Sequence, residues 1–406
     1  MGDCGGAELS DSLGRCPLSG YGYVFNDRYG QNSVSRRTHE FLHEILTVNH
    51  DNVRLVGLFC GYNNDKRAAK FIANRLSFEI YNESPIRPGT DPEIILDQLR
   101  SKYETAVKAY NEEMDELLTQ RLLKKEEGSD EGDVELIEIN AKLRAATTVL
   151  VVLFVDDKFY VLNCGNSRII LLTDDGEKIH AATLMQEHNN ENEMECERLR
   201  ELGIDPNTIM RPTRAIGDCF RGRCYIENDE LSIASGPPVI STPDILAYKV
   251  ENYFKSLILC SETITTAIEE MGVDKENVNK FLEDAVTRET AMGSTLSCSS
   301  IAQAVLDSLR RQHREQYMSH KAEGMYDRLG DLSLVLALFS DTSNSAPALY
   351  TDIQDSLSFE DQETGSPIAP ITPYVDFDDF DSNPSKDEMM RQLQGIFQGD
   401  ITSAPE

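Results

Sequence analysis

Positive charge is scarce in this sequence. Thirty-nine Lys and Arg stand against 70 Asp and Glu over 406 residues, a formal net charge of −31. That balance excludes nucleic acid and anionic membrane surfaces as partners, because both would repel the chain, and makes basic partners easier to accommodate. Long apolar runs are also lacking. No stretch approaches the roughly 20 residues of a membrane span, and the opening "MGDCGGAELSDSLGRC" has no signal-peptide core. A disulfide framework is missing too: nine cysteines, an odd number without regular spacing, read as reduced thiols, and no cysteine pair has zinc-finger spacing. On these absences the expected location is the cytoplasm. No internal repeat is evident.

What is present suffices for a large folded domain, since 40% of residues are hydrophobic. Leu55 to Gly61 reads as a strand that stops at small and polar residues. Ala68, Phe71, Ile72, Leu76 and Ile80 then recur at helical spacing, with Asp65 placed to cap the helix. A long charged helix is expected over residues 92 to 127, ending in the acidic "GSDEGD" loop. "ATTVLVVLFVDDKFYVLNCGNSRIILLTDDGEKIH" holds three apolar runs parted by the turn signals Asp156-Asp157 and Asp174-Asp175-Gly176, an antiparallel meander whose strands are covered on both faces. Further strands are expected at "FKSLILCSE" and "LSLVLALF", with helices at 275 to 288 and 297 to 318.

After Ser340 the composition shifts to Ser, Thr, Pro and acids, which cannot bury enough apolar surface to order a core. The expected organisation is a folded domain over 15–340, a flexible acidic linker over 341–371 and a motif with a short helix over 372–398. In the last segment Met389, Leu393 and Phe397 line up at helical spacing, and an isolated helix that short needs a partner. Ser366 and Thr372, each before a proline, fit proline-directed kinases.

Six blocks in order, "GLFCGYNND", "YVLNCGNSRIILL", "QEHNNENEMECERLRELGI", "PTRAIGD", "SLILCSETI" and "GDLSLVLALF", resemble the signature blocks of the metal-dependent type 2C protein phosphatases over roughly residues 20 to 340. The resemblance implies an α+β fold, a four-layer α-β-β-α sandwich of two antiparallel sheets flanked by helices. It also implies a pair of Mg²⁺ or Mn²⁺ ions that activate water against a phosphate ester. The family's Asp-Gly-His-Gly-Gly aligns with Cys60, Gly61, Tyr62, Asn63 and Asn64, so the bridging acid becomes a thiol and the proton donor a phenol. A thiol lacks the hard oxygens such cations want, and a phenol with an unperturbed pKa of about 10 does not cycle near neutral pH.

Other blocks depart in the same direction. Arg36 and Glu40 match the family's Arg-x-x-x-Glu-Asp, where the Arg grips phosphate, but Phe41 replaces the Asp. Glu262-Thr263 replaces a metal-binding Asp-Gly, Thr266 replaces the further Asp, and Asp331 keeps the last metal Asp beside Leu332. The expected cofactor content is none, at most one weakly bound Mg²⁺ or Mn²⁺ on Asp331 and Glu262. Blander readings stand beside these: Cys60 as a small buried hydrophobe at a strand end, Tyr62 as a loop aromatic, Asp331 as a turn cap, His188 as a hydrogen-bonded or solvated side chain, and Arg214 and Asp218 as turn-holding residues. No Cys-x₅-Arg loop follows Cys60, so thiol-based phosphatase chemistry has no support.

"PYVDFDDF", residues 373 to 380, resembles the kinase-docking segment of type 2C pseudophosphatases that bind and activate a MAP kinase kinase kinase of the TGF-β-activated kinase type. The resemblance implies Tyr374, Val375, Phe377 and Phe380 as contacts, with Phe377 the anchor. Read from chemistry alone, clustered aromatics in an acidic linker form a folding-on-binding motif steered by Asp376, Asp378 and Asp379 toward a basic groove. The expected function is a non-catalytic adaptor, with room for other signalling partners on the folded domain; the alternatives are a weakly active Mn²⁺- or Mg²⁺-dependent Ser/Thr phosphatase and a scaffold that holds phosphopeptides on Arg36.

Overall fold

The computed structural model describes residues 18–25, 27–28, 41–82, 84–128, 132–209, 212–292, 297–319 and 328–339. The expectations for Arg36, Glu40, the linker and the 372–398 motif, including Tyr374, Val375, Phe377 and Phe380, lie outside them. The chain divides between Thr342 and Ser343, and every described residue belongs to the first unit.

In chain order the elements are β1 (Ser19–Val24), β2 (Asp27–Arg28), β3 (His43–His50), β4 (Val53–Tyr62), α1 (Arg67–Tyr81), α2 (Pro92–Glu126), α3 (Val134–Arg144), β5 (Ala146–Val155), β6 (Lys158–Cys164), β7 (Arg168–Asp174), β8 (Ile179–Thr183), α4 (Glu193–Glu201), β9 (Ile216–Gly217), β10 (Asp244–Lys249), β11 (Phe254–Cys260), α5 (Glu262–Glu270), α6 (Val278–Met292), α7 (Cys298–Ser319), β12 (Arg328–Leu329) and β13 (Leu332–Leu338). One sheet has the order β1-β13-β11-β7-β8 and the other β10-β6-β5-β4-β3, all antiparallel.

Period-2 alternation sorts each apolar strand onto two cores. On β5, Val149, Val151, Leu153 and Val155 pack beneath α1 and α2, while Leu150, Val152 and Phe154 face the opposing sheet. On β13, Leu332, Leu334 and Leu336 join α5, α6 and α7, while Val335 and Ala337 point between the sheets. The result is the expected α-β-β-α sandwich.

The expected meander is broken. β5 and β6 form a hairpin, with Asp156 at φ 55°, but β7 leaves for the other sheet and pairs with β11 and β8. The exchange occurs at Gly165, whose φ of 148° and close approach to Thr148, 2.3 Å from a hypothetical Cβ, only glycine accepts. Asp65 supplies the expected capping bond from one residue before the N-cap Lys66, its carboxylate accepting the first-turn Arg67 N–H at 2.8 Å. One cysteine pair departs from the all-thiol expectation. Cys219 and Cys224 are disulfide-bonded, because the turn that follows Asp218 and the Cys224 N–H to Cys219 carbonyl bond bring their Cα atoms to 5.1 Å.

The outer edge of β1 is closed by α7. Ser299 Oγ accepts the Tyr21 N–H at 3.3 Å, and Gln303 both accepts the Tyr23 N–H and donates to its carbonyl, at 3.1 and 3.2 Å. The helix comes this close because Gly22 has no side chain: a Cβ there would sit 2.6 Å from Gln303 N and 2.7 Å from Ala302 C, both backbone atoms. Gly22→Ala should therefore cost about 1–3 kcal/mol of unfolding free energy through overpacking, read by denaturant titration. A neutral result would mean that α7 yields freely at this edge.

Candidate functional site

The C-terminal edge of β4 opens on a cleft of about 270 Å³ whose lining includes His43, Cys60, Tyr62, Glu191, Glu262 and Thr263. Strand register sets its floor, with Cys60 opposite His43 on β3 and Thr148 on β5. Gly61 is pinned to β3, its N–H donating to the Leu42 carbonyl at 3.1 Å, and a Cβ there would stand 2.4 Å from that oxygen. Asn63 and Asn64 follow at φ 64° and 59°. Asparagine tolerates this left-handed region better than most residues.

Cys60 is half-buried, its sulfur 3.5 Å from Ser167 Oγ. Burial pushes its pKa up to about 12; the Ser167 and Thr148 hydroxyls oppose the shift, and the Glu262 and Asp331 charges add to it. It stands as a neutral thiol among hydroxyls, neither a thiolate nucleophile nor a hard ligand. Glu262 occupies the first turn of α5 and accepts the Thr266 hydroxyl at 3.0 Å. Asp331, buried at 8% exposure, accepts the Leu42 N–H at 3.0 Å, and its own carbonyl accepts the Thr263 hydroxyl. The retained acid ties the β3 entry to the β13 entry, a role close to the turn cap expected of it.

Phe41 points elsewhere. Its ring lies 5.2 Å from those of Tyr23 and Phe25 and 5.3 Å from that of His43, in an aromatic row that continues to Tyr21. The structure thus brings Cys60, Tyr62, Glu262 and Thr263 to one cleft, sets Thr266 a helical turn away, places Asp331 at the Leu42 backbone and draws Phe41 into an aromatic cluster. Among the described residues no three His, Cys, Asp or Glu side chains converge where a metal ion could sit. One neutral thiol and three acids already engaged with protein donors, Glu191 with Lys275 among them, do not fit a pair of hard divalent cations, which need several carboxylate oxygens free between them.

His188 and Arg214, which the motifs singled out, belong to a polar network whose other members the motifs did not announce. His188 is fully buried: Nδ1 accepts the Gly165 N–H at 3.0 Å and Nε2–H donates to Asp244 at 3.0 Å. Arg214 spans Asp244 on β10 and Glu195 on α4, so it joins two elements instead of holding the turn expected of it. Glu195, 1% exposed, also accepts Arg198 and the Thr213 hydroxyl. Burial alone would raise its pKa, but the Arg214, Thr213 and Arg198 donors hold it at about 2. Asp244 is held at about 2, first by its bond from His188 and then by Arg214 against partial burial. Asp218, at φ 50°, does hold a turn, its carbonyl accepting the Arg221 and Gly222 N–H groups. A second small chain runs from His43 Nδ1 to Ser333 Oγ at 2.7 Å, and from the Ser333 N–H to Ser261 Oγ at 3.2 Å. Besides the blocks that hold His188 and Arg214, the signal available was the i, i+3 Glu195 and Arg198 pair; nothing near Asp244 in sequence announces its partners.

A family profile described as "Protein phosphatase 2C" matches residues 87–318. The chain is 35% identical over 299 residues, 74% of its length and 75% of the relative's, to "TGF-beta-activated kinase 1 and MAP3K7-binding protein 1" of Caenorhabditis elegans. Among solved structures it is similar to a C. elegans sex determining protein, with TM-score 0.48 and 13% identity over 79% of this chain and 64% of that one, so the chain spans less than two thirds of that neighbour. It is also similar to a serine-threonine phosphatase 2C from Toxoplasma gondii, with TM-score 0.49 and 12% identity over 79% of this chain and 94% of that one.

Proposed function

The chain belongs to the protein phosphatase 2C family, and from that premise we propose that it is a non-catalytic adaptor that binds and activates a MAP kinase kinase kinase of the TGF-β-activated kinase type. The kinase enters through the C. elegans relative, whose name describes a kinase-binding protein. The observation that carries the loss of catalysis is Cys60: where the family has a bridging carboxylate, this chain holds a neutral thiol with its pKa pushed up to about 12. Phe41, Thr266 and Tyr62 extend the loss to the remaining ligand positions and to the proton donor. On this reading residues 15–340 are the pseudophosphatase domain, 341–371 a linker and 372–398 the kinase-docking motif, with Tyr374, Val375, Phe377 and Phe380 as contacts. The protein works in the cytoplasm and has no resident metal.

The scaffold alternative is weaker on electrostatic grounds. Glu191 and Glu262 line the cleft, and no Lys or Arg does so among the described residues. Among the described residues, no cation in that cleft would assist Arg36 in holding a phosphate.

Two measurements test the reading. Full-length protein with Mn²⁺ should hydrolyse a small aryl phosphate no faster than its Asp331→Ala variant, and Cys60→Asp alone should not restore turnover. Phe377→Ala should weaken kinase-domain binding by roughly 2 kcal/mol, about thirtyfold, in calorimetry, because a segment that must order on binding relies on few buried anchors. Metal-dependent turnover above the control would favour the weakly active phosphatase, and unchanged affinity would remove the tail from the docking role.

A further inference from the structure

A second cleft, of about 1050 Å³, opens between α2, α3 and the loop over residues 218–230. It adjoins the β4 edge through Asn63 but shares no lining residue with the first cleft. Its walls differ in sign. Arg121, Lys125 and Arg144 come from the helices, and Glu227, Asp229 and Glu230 from the loop, which also brings the ion-paired Asp218 and Arg221; the Phe220 ring is flanked by Arg121 and Arg144, and the 52%-exposed Ile137 supplies the open apolar surface.

These charges are not equally occupied. Arg121 is saturated, its Nε donating to Asn140 and its two terminal nitrogens to Glu227, and Lys125 also faces Glu227 at 3.8 Å. Arg144 differs. Its guanidinium lies 5.0 Å from the centre of the Phe220 ring and pairs with no carboxylate among the described residues. Stacking on an aromatic face holds the planar fork ready while leaving its edge donors open to an incoming anionic oxygen. Across the cleft, Asp229 and Glu230 are exposed and have no cation partner among the described residues. One ready cation, two open carboxylates and an apolar strip between them form a pattern complementary to a peptide bearing both signs of charge. The volume is at the upper end of small-molecule sites, roughly 300–1,000 Å³, and suits several residues of extended chain.

We propose that this cleft binds an extended segment of a protein partner, with an acidic side chain on Arg144, an apolar one over Ile137, and a basic one at Asp229 and Glu230. The proposal depends neither on the tail nor on the absence of catalysis, so it stands or falls apart from the adaptor reading.

The test uses full-length protein and fluorescence anisotropy with labelled octapeptides in which a Glu or phosphoserine and an Arg flank a Leu at every spacing. At least one spacing should bind better than its alanine-substituted control, and the Glu and phosphoserine arms identify which anion Arg144 receives. Arg144→Glu should weaken that peptide about tenfold, and a peptide with Lys in place of the acid should recover the loss. Asp229→Lys with Glu230→Lys should behave reciprocally toward a peptide with Glu in place of Arg. Recovery by the charge-swapped peptide also shows that the variant is folded. If no spacing exceeds its control, or if binding is indifferent to both sets of substitutions, the proposal is wrong.

Discussion

Glu195→Ala should lower the unfolding free energy by about 3–5 kcal/mol, the cost of breaking a buried ion network from one side. Arg214 gives the Glu195 carboxylate two hydrogen bonds, at 2.9 and 2.7 Å, Arg198 gives bonds at 2.9 and 3.3 Å, and the Thr213 hydroxyl one at 2.7 Å. Truncation leaves two largely buried guanidinium groups facing one another, of which Arg214 keeps Asp244. Glu195→Gln, which retains one acceptor but not the charge, should fall between. The depressed pKa values of Glu195 and Asp244, both about 2, fix the acid limb. Their contributions are complete above the usual carboxylate range of about 4 and are lost as pH falls through about 2. Denaturant titration at neutral pH is the measurement, and a loss below about 1 kcal/mol would mean that the network relaxes around the gap.

His43 sets a separate and higher window. Burial pulls its pKa down from 6.5 to about 4, so it is neutral in the folded protein while the unfolded chain takes up a proton as pH falls below 6.5. Its contribution is therefore complete above 6.5 and lost progressively down to about 4, about 3 kcal/mol in all. Between about pH 7 and about pH 5 the unfolding free energy should drop by about 2 kcal/mol from this residue alone. His43→Asn, which can keep a bond to Ser333, should flatten that slope whatever its own cost at neutral pH. A slope unchanged in the variant would assign the pH dependence to another group. This window lies above that of Glu195 and Asp244, so one pH series separates the two.

Local patterns made much of the architecture readable. The apolar runs of β5 and β13 carry large residues on both alternating faces, which marks strands covered from both sides, and only a packed pair of sheets with outer helices satisfies that for so many strands. The long charged helix came out at Pro92–Glu126 for the same reason, since its cap and charge pattern are contained within the segment. The candidate site was legible as a list of substituted positions, and Cys60, Tyr62 and Glu262 do meet in one cleft.

Sequence by itself determined strand faces, the extent of the long Pro92–Glu126 helix and the loss of a carboxylate at the β4 edge, because these depend on side-chain type and on neighbours a few residues apart, whereas the helix expected over 275–288 came out at Val278–Met292. Tertiary structure alone decided where the chain changes sheets, since the constraint on Gly165 comes from Thr148, which is distant in sequence and close in space. It likewise decided what the substituted residues do instead: Phe41 finds Tyr23 and Phe25 on another strand's flank, and Asp331 finds the Leu42 backbone. His188 and Arg214 were singled out by the motifs, and His188 is hydrogen-bonded as one reading had it, but their partners Glu195 and Asp244 were invisible for the same physical reason. A charge becomes costly or stabilising only when burial removes water and supplies a partner, and both are properties of the packed fold rather than of any local run of residues.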